Sequence, residues 1–78
     1  MRDLDLLIAE AIEKSETDQY GQYIRMNTTI YNLFRNEDDE FRKKVEAHLK
    51  SGESKYVLQC YGWKYGTYYA VNPYPKNN

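Results

Sequence analysis

Residues 55–72, KYVLQCYGWKYGTYYAVN, place two runs of β-prone residues on either side of a Gly62-Trp63-Lys64-Tyr65-Gly66 break. Two such runs joined by a short stretch bearing glycine signal a β-hairpin. Six of the nine tyrosines and the only tryptophan lie between Lys55 and Tyr74. A two-stranded hairpin is marginal in water by itself, so the rest of the chain has to supply whatever covers it.

Reading the break as a five-residue loop pairs Cys60 with Tyr68, Leu58 with Ala70 and Tyr56 with Asn72. One face then holds Tyr56, Leu58, Cys60, Tyr68 and Ala70, and the other Val57, Gln59, Tyr61, Thr67, Tyr69 and Val71. Neither face is polar, whereas a half-exposed sheet alternates apolar with polar residues. One face is therefore expected to pack on helices. The other presents a tyrosine-rich surface to a partner, with Trp63, Lys64 and Tyr65 at the tip and Tyr61 and Tyr69 behind it.

Upstream of the hairpin the period changes from two to about 3.6. Leu4, Leu7, Ile8, Ala11 and Ile12 share one side of a helix over 3–14, with Asp3 as its N-cap and Leu6 off the stripe. Over 36–50, Phe41, Val45, His48 and Leu49 recur at helical spacing behind an Asn36 cap and the acids Glu37 to Glu40, and Gly52 stands where a left-handed terminating residue is wanted. The stretch between is ambiguous. Thr17 or Asp18 can cap a helix, and helical spacing puts Tyr20, Tyr23, Ile24, Tyr31 and Phe34 on one face with Ile30 at its edge. Gly21 and the Thr28-Thr29 pair weaken a continuous helix. A short strand over 22–26 followed by a helix capped by Asn27 or Thr28 and running to about Arg35 is the favoured reading.

The fold expected is a small α+β domain over residues 1–72, three helices packed on a two- to three-stranded antiparallel sheet that ends in the aromatic hairpin. Residues 73–78, with Tyr74 between Pro73 and Pro75, read as an extended or frayed tail. Seventy-eight residues approach the size at which a single core needs help, and one cysteine cannot supply an internal disulfide. The stretch MRDLDLLIAEAIEK lacks the basic start and apolar run of a targeting segment, and no apolar run reaches the roughly 20 residues of a membrane span. A cytoplasmic protein without membrane contact is expected.

The inventory for catalysis is thin. His48 sits on an apolar stripe, where a histidine packs its ring and satisfies one nitrogen. Cys60 reads as a small mid-strand hydrophobe, and the Glu37 to Glu40 run as a solvated first turn without the glycine and alternation of a calcium loop. No phosphate loop, histidine pair or nucleophile elbow appears. Neither a catalytic residue, a metal site nor a cofactor is expected.

Two binding readings remain. The order helix, strand, helix, helix, hairpin is that of a winged-helix DNA-binding regulator, with Arg42, Lys43 and Lys44 on the outer side of the third helix as contacts to nucleic acid or to an acidic partner. Against it, the same helix opens with four acids and the net charge is −1. The favoured reading is a non-catalytic protein-binding module. It would inhibit or regulate a larger intracellular protein, of the kind phages and mobile elements direct against host nucleic-acid enzymes or defence systems. Its contacts would be Tyr61, Trp63, Lys64, Tyr65 and Tyr69, since tyrosine, tryptophan and arginine dominate interface hot spots. An open edge strand and Leu6 also allow a homodimer.

Overall fold

The structure, a computed structural model, describes residues 3–76, and the side chain of Trp63 lies outside the described residues. Three helices and a C-terminal two-stranded antiparallel hairpin make an α+β domain. Helix α1, Leu4–Lys14, starts where the Asp3 carboxylate accepts the Leu6 N–H and ends where the Ser15 hydroxyl donates to the Ile12 carbonyl at 2.8 Å. Ile8 and Ile12 are buried and Leu6 is exposed, as the spacing predicts.

The expected strand over 22–26 does not form. The Asp18 carboxylate accepts the amides of Tyr20 at 2.8 Å and Gln22 at 3.0 Å, and Gly21 takes φ +76°. A short acidic side chain that bonds its own backbone favours a turn over a helix. Asp18 therefore closes a tight loop, with Thr17 bridged to Tyr23, and neither Thr17 nor Asp18 caps a helix. A 3-10 turn follows at Arg25–Thr28. Thr28 and Thr29 donate their hydroxyls back to the carbonyls of Arg25 and Met26, at 3.0 and 3.1 Å.

Helix α2, Ile30–Leu33, is a single turn capped by Thr29, not by Asn27 or Thr28, and it stops short of Arg35. Phe34 leaves helical geometry (φ −122°, ψ 40°) to bury its ring edge-on against Phe41, 5.4 Å away. The inward side of this turn is set by Ile30 and Phe34, both buried. Tyr31, expected inside, points to solvent.

Helix α3, Asp39–Lys50, is capped by Asp38, whose carboxylate accepts the Phe41 N–H at 2.8 Å, so Asn36 is two residues too early. Val45 and Leu49 are buried, Phe41 and His48 half-buried, and Gly52 takes φ +84° after the helix.

Strands β1, Leu58–Trp63, and β2, Gly66–Val71, pair with Leu58 opposite Val71, Cys60 opposite Tyr69 and Tyr61 opposite Tyr68. The register is one residue away from the expected one. The strands run through Gly62 and Trp63 to a two-residue turn, Lys64-Tyr65, and Gly66 carries the positive φ of +138° that neither turn residue adopts. A one-residue slip re-sorts every side chain. Leu58, Cys60, Gly62, Thr67, Tyr69 and Val71 share one face, and Gln59, Tyr61, Tyr68 and Ala70 the other.

The division into a buried face and an open face gives way to a buried base and an open tip. Val71 and Leu58 pack with Ile8, Ile12, Ile30, Phe34, Val45, Leu49 and Tyr56, while Ala70, on the opposite face, is buried beside a bridge to Thr29. Two short helices and one turn cannot cover a whole face, so they grip the end of the hairpin where its strands enter. The described part of the tail, 73–76, bends at Pro73 and Tyr74, where the Tyr74 N–H donates to the Asn72 side chain at 3.0 Å, and it is held in place. The Lys76 N–H donates to the Lys55 carbonyl at 2.8 Å, and Tyr74 meets the Tyr23 ring edge-on at 6.2 Å. No helix among the described residues is long and apolar enough to cross a membrane.

Candidate functional site

The residues read from the sequence as one contact surface fall on two faces and a tip. Tyr61 is half-buried, stacked on Tyr68 at 5.5 Å between centroids, with the Arg25 guanidinium 4.1 Å over its ring and its hydroxyl donating to Gln59. It is committed to its own chain. Tyr69, on the opposite face, is 42% exposed with the Lys50 ammonium 5.2 Å from its ring. Lys64 and Tyr65 stand at the exposed tip, the ammonium 5.6 Å over the ring. The Trp63 side chain, also named as a contact, is outside the described residues.

Tyr69 belongs to a surface the spacing did not disclose. Met26 (51% exposed), Tyr31 (65%) and Tyr69 surround a groove of about 450 Å³ floored by Thr29 and Ile30. The 3-10 turn, α2, α3 and β2 all contribute, with Asn32, Glu46 and Tyr68 completing the lining. Large apolar or aromatic side chains left in water around a concave floor are what a protein contact uses, because their burial area is large and their conformational freedom small. The available signal is the i, i+4 pair Ile30 and Phe34, which sets the inward side of α2 and leaves Tyr31 outside it.

Of the basic trio, Lys43 and Lys44 are exposed and Arg42 is not. The Arg42 guanidinium donates to the carbonyls of Phe34 and Glu37 and to Asp39. The Phe34 carbonyl also accepts the Glu37 N–H at 3.0 Å, so Arg42 ties the turn between α2 and α3 to the first turn of α3. Hydrogen bonding and charge attraction from Arg42 hold the Asp39 carboxyl below its ordinary value. Arg42→Ala is expected to cost about 1–2 kcal/mol in urea melts, since two carbonyls lose a charged donor. The Asp39 carboxyl should return toward the ordinary range in an NMR titration.

Asp5, His48 and Ser54 form a polar cluster that no local pattern announced. The Ser54 hydroxyl donates to Asp5 Oδ1 at 2.5 Å, His48 Nε2 lies 2.9 Å from the same oxygen, and the Lys55 N–H donates to Oδ2 at 3.0 Å. Burial works against the charged carboxylate, but the bonds from Ser54, Lys55 and His48 outweigh it and lower the Asp5 pKa. Ser54, 2% exposed, gives its proton to Asp5 and not to His48, and accepts the Tyr56 N–H at 3.0 Å. The cluster thus ties the start of α1 to the end of α3 and to the entry of the hairpin. His48 packs with one nitrogen satisfied, as its place on the stripe predicts. Cys60, expected to be buried, is an exposed free thiol. Among the described residues no group of three or more His, Cys, Asp or Glu side chains could hold a metal ion.

Compared with family models, curated proteins and solved structures, the chain finds no match, so its function has to be argued from these residues alone.

Proposed function

We propose that the chain is a small non-catalytic module that binds, and thereby inhibits or regulates, a larger intracellular protein. The exposure of Met26, Tyr31 and Tyr69 around one groove carries this reading, with the Lys64-Tyr65 tip as a second contact. A monomer gains little stability from holding three such side chains in water, and aromatic anchors about a concave floor favour a protein partner. The commitment of Arg42 to the carbonyls of Phe34 and Glu37 supports protein over DNA, because it removes the strongest phosphate ligand from the outer side of α3.

The test is affinity capture from host lysate, followed by titration of the purified partner with wild type and with Tyr69→Ala. Retained folding by circular dichroism together with lost binding is the expected result. Binding to duplex DNA that weakens steeply with salt and disappears in Lys43→Ala/Lys44→Ala would replace this reading with that of a DNA-binding regulator.

A further inference from the structure

The hairpin has an unpaired outer edge whose direction follows from one hydrogen bond. Asn72 N–H donates to the Val57 carbonyl at 2.8 Å, and these two residues stand directly opposite in the register, so they form a hydrogen-bonded pair. Such pairs alternate along an antiparallel ladder. The N–H and C=O groups of Leu58, Cys60 and Gly62 therefore point away from β2. Among the described residues none of these groups has a backbone partner. The matching outer edge of β2 is met by the bridge from Thr29 to Ala70, and Cys60 and Gly62 are exposed.

We propose that two copies of the chain pair along β1, antiparallel and centred on Cys60, to form a continuous four-stranded sheet. Three observations favour a second copy. Centring on Cys60 pairs all three outward residues at once: Cys60 with its counterpart, and Leu58 with Gly62 of the second copy in both directions. Gly62 is then explained. Its φ is not positive and a Cβ there would meet nothing within 4 Å, so the chain's own fold does not require glycine at a strand position where glycine weakens pairing. In the paired sheet the missing side chain makes room for Leu58. Finally, residues 58–63 carry no charge and no proline, the usual devices that keep an edge from self-association. In this register Lys64 faces Tyr56 and Lys55 faces Tyr65, so no lysine opposes a lysine.

The pairing uses the β1 edge and reaches the Lys64-Tyr65 tip but leaves free the groove that carries the proposed partner contact, so its failure and that of the groove reading are read separately. Sedimentation of the full chain should give twice the 9.3 kDa chain mass at high concentration and dissociate on dilution. Hydrogen exchange in the wild type should slow with concentration at Leu58, Cys60 and Gly62. A short bis-maleimide should join Cys60 to Cys60, because hydrogen-bonded partners across a ladder lie about 5.5 Å apart. Gly62→Lys, which has open space for its Cβ, should fold and lose both the dimer and the cross-link. A monomer at millimolar concentration with unchanged exchange at these amides overturns the proposal, and so does a dimer that survives Gly62→Lys.

Discussion

Asp5→Ala is expected to lower the stability of the folded chain by about 2–3 kcal/mol at neutral pH, read by urea unfolding followed in the far-ultraviolet. The loss exceeds that of an ordinary surface aspartate because three donors converge on its two oxygens, from the Ser54 hydroxyl, the Lys55 amide and His48. Ser54 is buried, so its hydroxyl has no water to turn to. Asp5→Asn recovers only part of the loss, since one of its two terminal atoms becomes a donor facing a donor.

The pH dependence separates this account from simple loss of packing. The folded-state pKa of Asp5 is lowered. A lowered carboxyl contributes stability that is fully present above its unfolded value and is lost as pH falls through the folded one. The gap between wild type and Asp5→Ala should therefore narrow in acid. A gap of constant size down to strongly acidic pH would show that the carboxylate is not what holds the cluster together.

This cluster marks the limit of what the sequence discloses. Asp5 meets His48, Ser54 and Lys55 across 43, 49 and 50 positions, and no local period carries such information. Helix α3 was legible because its signals are local: acids in the first turn, Phe41, Val45 and Leu49 on one stripe, Gly52 beyond the end. The existence of the hairpin was legible for the same reason, but its register was not. Gly62 looks like part of a loop, and only the closure of the turn at Lys64-Tyr65 decides that it belongs to the strand. That single residue moved Tyr61 and Tyr69 to opposite faces and broke up the expected contact surface. Helix α2 failed differently, because four residues are too few for a period to show, and either threonine can cap it.

The neighbouring residues Ile30 and Tyr31 put the new phase of α2 to the test with opposite outcomes. Ile30 is 9% exposed and packs in the core with Ile8, Ile12 and Phe34, so Ile30→Ala opens a cavity and costs about 2–4 kcal/mol. Tyr31 is 65% exposed, with the Arg42 guanidinium 5.4 Å from its ring centre. An exposed cation–π contact contributes about 0.5–1 kcal/mol, so Tyr31→Ala should cost no more than about 1 kcal/mol in the same melt. In binding to the proposed partner the order should reverse. Truncating an aromatic anchor at the centre of an interface costs about 2 kcal/mol or more, so Tyr31→Ala should weaken the complex at least about thirtyfold. Equal stability losses at the two positions would return Tyr31 to the core. A stable Tyr31→Ala variant that binds its partner at full strength would remove the groove from the contact surface and leave the Lys64-Tyr65 tip to carry it.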